Sequence, residues 1–413
     1  MSGPRVLVIG GGHAGLAAAH GVLARMSGAH VVLFEPRDKH LLKPRLAEAI
    51  DDEVEVELPL EPFVDLPRLQ RVRALVDTVD PGAVRVEADG KTWDGDYVII
   101  ACGGRTRVFN GATKSKRKKA AATTKRTAPA KRKGAAPTTF VLDSRADATK
   151  LREHIEDQVE RAAGKVTPAR RRALLSVLVI GGGYTGVEAA PSIAVLMRRL
   201  ALKAGISPAL VHVTLAESRE RLFAGVPDEE LAKRVDEALA RKAVDVRTGE
   251  TVRLEGGVPI FGRHPSDAST VLLATGIEGA IPLASGARGR SSRWEVDEAL
   301  RVIGHPAAFA VGDAAIVTAG KSAVAASAQH AVQAGSHAAA MIECLVSGKA
   351  LRPFQPSTVG EFLTLGEGEV IGWVQFAGRR LHLSGFSAAA ARTAAFARYL
   401  AGLKIGALRA SRS

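Results

Sequence analysis

VLVIGGGHAGLAAA at residues 6–19 and VLVIGGGYTGVEAA at residues 177–190 are two copies of one pattern in a chain of 413 residues. Each opens with a run of strand-forming apolar residues (6–9 and 177–180), breaks into GxGxxG, and runs on into a helix of small side chains. The first glycines, Gly10 and Gly181, suit a tight turn, and the second, Gly12 and Gly183, let a backbone approach a pyrophosphate. The third, Gly15 and Gly186, pack helix against strand, and the helix N-terminus receives the anion. A lone glycine-rich turn means little. Two in strand–turn–helix context imply an α/β fold with two Rossmann-like dinucleotide-binding units, hence two nucleotides meeting.

An acidic residue closes a later strand in each unit. AHVVLFEPR ends on Glu35, 25 residues after Gly10, and LVHVTLAES ends on Glu217, 36 residues after Gly181. A carboxylate there accepts hydrogen bonds from a ribose diol and repels a 2′-phosphate, which favours FAD at the first site and NADH at the second. Arg219 and Arg221 follow Glu217 closely and could take a 2′-phosphate instead, so NADPH stays open.

The formal net charge of +14 is unevenly spread. Residues 111–139 hold 10 Lys or Arg and residues 370–413 hold 7, with no acid in either; the rest of the chain carries 40 basic against 43 acidic residues. The basicity therefore belongs to two segments and says little about the core. The stretch 111–139, rich in Lys, Ala, Thr and Pro, has too little to bury and is expected to be a disordered insert. Only Cys102 and Cys344 occur, in no metal or CxxC spacing, and the 11 histidines are scattered, so neither a dithiol redox pair nor a metal site is expected. The first strand starts by about residue 6 and no run of about 18 apolar residues occurs, so the expectation is a cytoplasmic protein or one lying on the cytoplasmic face of a membrane.

Residues 1–110 read as the first nucleotide unit and 140–290 as the second. Residues 291–348, with a strand into Gly312 and Asp313, read as a late return that completes the first unit, so the second is inserted in it. Residues 349–413 read as strands followed by a basic helix in which Phe396, Tyr399, Leu400 and Leu403 form one apolar stripe suited to an anionic membrane surface.

With the two fingerprints, HLLKPRLAEA (40–49), YVIIACGG (97–104), LLATGI (272–277), FAVGDAA (309–315) and AQHAVQ (328–333), the chain resembles the type II NADH:quinone oxidoreductases, a branch of the FAD-dependent pyridine nucleotide oxidoreductases. The resemblance implies that Gly312 and Asp313 hold the flavin's ribityl chain. It implies that Gln329 and Gln333, one helical turn apart, line a quinone pocket with Lys43, and that Glu188 sits beside nicotinamide and flavin. His13 and Ala14 belong with the first cradle, and Tyr184 and Gly276 with the second. The sequence departs from the family in Arg45, where PLL is usual, in Cys102, where threonine is common, and in the basic insert.

The expected activity is hydride transfer from NADH to FAD and two-electron reduction of a quinone on the flavin's other side. Two alternatives remain: a soluble NAD(P)H-dependent flavin oxidoreductase with another acceptor, and a redox-sensing nucleic-acid-binding flavoprotein whose basic insert neutralises phosphates. Against nucleic acid, no aromatic residue interrupts 111–139 for base stacking. The sequence leaves a homodimer open.

Overall fold

The computed structural model describes residues 3–108, 136–223, 228–255, 258–261, 264–280, 283–284, 292–319 and 322–412. The basic insert expected at 111–139 thus lies, through residue 135, outside the described residues.

Strand β1 (Arg5–Ile9) breaks at Gly10 into helix α1 (His13–Arg25), and β2 (His30–Phe34), β3 (Leu69–Val72) and β4 (Tyr97–Ile100) follow. The second unit contributes β5 (Thr138–Phe140), α2 (Arg145–Ala163), β6 (Ser176–Ile180), α3 (Tyr184–Lys203), β7 (His212–Ala216), α4 (Glu229–Arg241), β8 (Val244–Arg247) and β9 (Thr270–Leu273). The chain then returns through β10 (Ala308–Ala310) and α5 (Ala328–Val346). It ends in β11 (Gly360–Thr364), β12 (Val370–Phe376), β13 (Arg379–Ser384) and the long helix α6 (Gly385–Arg412).

Two five-stranded sheets result, ordered β10-β4-β1-β2-β3 and β5-β9-β6-β7-β8, and every pairing in both is parallel. Parallel strands are covered on both faces, which is why β1, β4, β6 and β9 read as near-continuous Val, Leu and Ile runs with no alternation. In each sheet the fingerprint strand is central. The strand leading to the acid pairs on one side, with Val6 opposite Val31 and Val177 opposite Val213, and the strand running into a later glycine turn pairs on the other. The strand order therefore reverses at β1 and at β6, and a ligand crevice opens at such a reversal beyond the strands' C-terminal ends. All strands of the second sheet fall between β4 and β10 of the first, so the second unit is inserted in the first.

Helix α5 returns to α1 at very close range. A Cβ on Gly335 would lie 2.1 Å from the Ala14 carbonyl oxygen, and one on Gly21 would lie 2.8 Å from Ala339 Cβ. Small residues on both helices allow that approach, and Ser327 caps α5 by accepting from the His330 N–H at 3.1 Å.

Helix α6 lies along the first unit, with Leu403, Ala407 and Ala410 buried. Part of the apolar stripe read as suited to a membrane surface packs on the protein's own body: Leu403 is 5% exposed and the Tyr399 hydroxyl is 2.7 Å from His40 Nε2, while Phe396 and Leu400 are half-buried. The reason is steric. Gly406 sits so close to His20 that a Cβ would lie 2.8 Å from its Nδ1, so the alanine- and glycine-rich face seats flush on the domain. Among the described residues, no helix is long and apolar enough to cross a membrane.

Candidate functional site: two dinucleotide cradles on one cleft

The two glycine turns share one geometry. Gly10 has φ +102° with the Ala101 carbonyl behind it, and Gly181 has φ +119° with the Ala274 carbonyl behind it, a backbone conformation and a space that only glycine fits. A Cβ on Gly15 would fall 1.8 Å from the Gly10 carbonyl oxygen, and one on Gly186 would fall 1.9 Å from that of Gly181. By contrast nothing stands within 4 Å of a Cβ on Gly12 or Gly183. That face is the empty approach to a helix N-terminus that a pyrophosphate needs, and neither α1 nor α3 carries an acid in its first turn to repel one.

Both acids point back at their glycine turn. Glu35 Oε2 accepts from the Gly11 N–H at 2.8 Å, and Glu217 Oε2 accepts from the Gly182 N–H at 2.7 Å. Burial alone would raise the Glu35 pKa, but hydrogen bonds and charge from Arg37, at 2.8 and 3.0 Å, outweigh it and hold the carboxyl below its usual range. The Glu217 Oε1 accepts from the Arg219 N–H at 2.9 Å and the Ser218 hydroxyl at 3.1 Å. Tyr184 opens α3 with its ring 5.1 Å from Phe223, and Gly276, at φ +85°, lines the same side.

One continuous cleft of about 3190 Å³ joins the cradles, several times the roughly 300–1,000 Å³ of a single small-molecule site. It is lined by Gly10, Gly12, His13 and Ala14 of the first turn, by Gly181, Gly183 and Tyr184 of the second, and by Glu35 and Glu217. Between them stand Lys43, Gly312 and Asp313. Lys43 Nζ donates to the Gly104 carbonyl at 2.6 Å and lies 3.7 Å from Asp313 Oδ2, so strand ends remote in sequence meet there.

Glu188 faces this junction from α3. Its pKa is pushed up to about 8, chiefly by burial and further by Glu48, while the Thr364 N–H, which it accepts at 3.0 Å, and the charge of Arg392 oppose the rise. At neutral pH it is a carboxylic acid and so can donate a hydrogen bond.

The glutamines of α5 reach the cleft, with a difference from the expectation. Gln333 Oε1 accepts from the Ser357 N–H at 2.9 Å and its Nε2 donates to the Ser357 carbonyl at 2.7 Å, so both ends of its amide are engaged with the backbone. Gln329 Oε1 accepts from the Val359 N–H at 3.3 Å. The two side chains pin the 357–359 segment to α5, a tie that sequence could not reveal because its partner is backbone. His330, between them, has Nδ1 2.9 Å from the Ala325 carbonyl and Nε2 3.0 Å from Thr358 Oγ1, which fixes the ring's orientation.

Sequence reasoning missed two groups. His13 stacks on Tyr399 (centroids 4.9 Å apart, planes 24° apart), while His40 bridges the Gly11 carbonyl at 3.2 Å and the Tyr399 hydroxyl. Burial is the main cause of the His13 pKa falling to about 3, helped by His40 and Lys43, so its ring is neutral. The second group is Arg45, Glu48 and Arg392: Arg45 lies 3.4 Å from Glu48, and Arg392 forms an ion pair with the same carboxylate. Both groups join α6 to residues more than 300 positions earlier, beyond the reach of any spacing rule.

Cys102 and Cys344 are both free, and burial pushes the Cys102 thiol up to about 12. Among the described residues no cluster of three or more His, Cys, Asp or Glu could hold a metal.

Residues 4–335 match the pyridine nucleotide-disulphide oxidoreductase family. The chain is 25% identical over 391 residues to a type II NADH:quinone oxidoreductase of Staphylococcus saprophyticus, covering 90% of this chain and 89% of that protein. It is 29% identical over 329 residues to an NADH dehydrogenase-like protein of Mycobacterium tuberculosis, covering 75% and 72%. In fold it matches the NDH2 of Plasmodium falciparum solved with NADH, at TM-score 0.76, 14% identity and 99% and 97% coverage. It also matches the sulfide:quinone oxidoreductase of Aquifex aeolicus, at TM-score 0.74, 18% identity and 98% and 92% coverage. With four-fifths of its length matched and both nucleotide cradles in place, the chain belongs to the pyridine nucleotide-disulphide oxidoreductase family.

Proposed function

We propose that this chain is an FAD-dependent NADH dehydrogenase that passes two electrons to a quinone. The observation that carries the reading is the single cleft bounded by two glycine cradles of equal geometry, each with its acid turned onto the loop. Relatives that cover 90% of this chain carry that activity in their names.

The first cradle fits FAD. Gly12 leaves its pyrophosphate approach free, Glu35 lies where a ribose diol would bond it, and Gly312 and Asp313 stand beside Lys43 on the way to the cleft's centre. The bound flavin supplies hydride acceptance from NADH and onward transfer of an electron pair. The chain's own residues do the rest. Gly183 and Glu217 hold the NADH pyrophosphate and ribose, and Tyr184 walls that cradle. Glu188, protonated at neutral pH, donates a hydrogen bond at the junction. Gln329 and Gln333 hold the 357–359 wall on the acceptor side. In this reading residues 1–110 and 291–348 form the FAD-binding domain, 140–290 the NADH-binding domain and 349–413 the C-terminal part.

Attachment to an anionic membrane surface belongs to the same proposal. The outward side of the C-terminal part leaves Phe376 71%, Leu381 52% and Phe386 91% exposed beside Arg379, which suits an interface with lipid. Loss of anionic-vesicle binding on Phe386→Ser is the expected outcome there.

Stopped-flow absorbance tests the central reading. NADH bleaches the flavin and a water-soluble quinone restores it; Gln333→Ala slows the second step several-fold and leaves the first within twofold. Equal slowing of both steps would show that α5 supports the flavin and not an acceptor wall.

A further inference from the structure

The acceptor side of the cleft carries an unbalanced positive charge. Arg45 and Arg392 both line it, whereas the Glu48 carboxylate they share does not. Each arginine keeps about a fifth of its side chain exposed, 23% and 22%, against 11% for Glu48. One buried carboxylate therefore stands behind two cations that face the cavity. The other charges on this wall do not cancel the excess. Lys43 and Asp313 offset one another at 3.7 Å. Arg380 is paired with Asp228 at 2.8 Å, and Arg398 adds a further exposed cation. Of the acids, Glu188 is pushed up to about 8, and the single charge of Glu361, which accepts from Trp373 Nε1 at 3.2 Å, is matched in number by that of Arg398.

Apolar rings sit next to the cations. The Arg45 guanidinium lies 5.4 Å from the centre of the Phe396 ring, and Phe362 and Trp373 complete that part of the lining. Arg45 Nη1 also donates to the Glu55 carbonyl at 3.1 Å, so its head is held in place before any ligand arrives. A flat aromatic face beside a fixed, partly desolvated cation suits a planar ring bearing an anion, because the ring packs on the apolar face while the unbalanced positive charge attracts the substituent.

We propose that the acceptor taken here is a quinone whose ring carries an anionic substituent, with Arg45 and Arg392 as the pair that selects it. The inference rests on the quinone reading above. The overall step conserves the substituent: NADH, one proton and the anionic quinone give NAD⁺ and the anionic hydroquinone, with the electron pair passing to the two carbonyl oxygens.

The test compares 1,4-naphthoquinone-2-sulfonate with unsubstituted 1,4-naphthoquinone as acceptors for the holoenzyme, and reads the ratio of their kcat/KM values so that differences in reactivity between the quinones cancel across variants. Arg45→Leu lowers the ratio about fivefold, whereas Arg45→Lys holds it within about twofold, as a screened point charge requires. In wild type the ratio falls as sodium chloride rises from about 20 to about 300 mM, and the Kd of the sulfonate for the oxidised holoenzyme, measured by calorimetry, rises in parallel. A ratio equal in wild type and Arg45→Leu, or a fall as large in Arg45→Lys, overturns the proposal. Should Arg45→Leu not fold, a salt-independent wild-type ratio overturns it. If NADH bleaches the flavin but neither quinone restores it, the quinone reading itself fails; restoration by both with a ratio indifferent to Arg45 fails only this inference.

Discussion

The two cradles share a backbone and differ in what covers them. No residue from Gly10 to Gly15 is exposed, while Gly183 and Thr185 of the second turn are. The first is closed by α6, whose Tyr399 stacks on His13 and bonds to His40, and its acid is locked by a guanidinium fork. The second has Tyr184 and Phe223 at its side and an acid held mainly by backbone N–H groups. In the proposed function one loop geometry thus serves two kinetic roles: the covered cradle retains a resident cofactor, and the uncovered one lets a substrate come and go. The lesson is that the fingerprint sets what is bound, and its surroundings set for how long.

The hardest test of that division is at the third glycines. Gly15→Ala drives a methyl into the Gly10 carbonyl, and the expected outcome is loss of bound flavin with a large loss of thermal stability. Gly186→Ala makes the same clash in the second unit, so the protein stays yellow but is no longer bleached by NADH. Absorbance spectra of both purified variants decide it; loss of flavin from both would erase the distinction.

Next in size is the lid. Tyr399→Ala removes a ring stack and a hydrogen bond, together about 2 kcal/mol, so flavin release quickens about 30-fold while the Kd for NADH holds. Tyr399→Phe, which keeps the stack, loses about 1 kcal/mol. Release is followed by flavin fluorescence after dilution, and a Tyr399→Ala protein that holds its flavin as wild type does removes α6 from the account.

At the uncovered cradle, Glu217→Gln narrows the preference for NADH over NADPH about tenfold, because an amide no longer repels a 2′-phosphate. Steady-state rates with both nucleotides measure this. A wild type that favours NADPH would assign the phosphate to Arg219 or Arg221.

The last test is a pH dependence at the junction. Glu188 is raised in the folded protein from near 4.5 to about 8, so the folded state binds the extra proton across that window. Its contribution to stability is present below about pH 4.5 and is lost as pH rises through about 8. Glu188→Gln lacks this loss, so thermal melts should show its stability relative to wild type rising from about pH 5 to about pH 8. Parallel curves for the two proteins would mean that the buried carboxyl does not titrate there.

The fold class, the two nucleotide units and the nesting of one in the other were legible in the chain because they depend on local order. Strand, glycine turn and helix are consecutive residues, and an apolar run without alternation already declares a strand covered on both faces. Glu35 and Glu217 were legible for the same reason, each closing a strand at a countable distance from its glycines. The stripe on α6 was legible as amphipathic but not as to what it would meet. Periodicity gives a face without naming its partner, and part of that face, Tyr399 and Leu403, packs on α1, Phe63 and His40. Gln333 was likewise legible as sharing a helix face with Gln329, yet its amide engages Ser357 backbone, which no side-chain pattern encodes.

What the sequence determined by itself was therefore the pair of glycine loops and the acid set against each, since a glycine turn and its acid are fixed by local sterics and strand length. Tertiary structure alone decided which loop is covered, which carboxyl stays protonated, and where two arginines share one acid. Those outcomes depend on burial and on charges brought together from distant parts of the chain, and neither exists until the chain has folded.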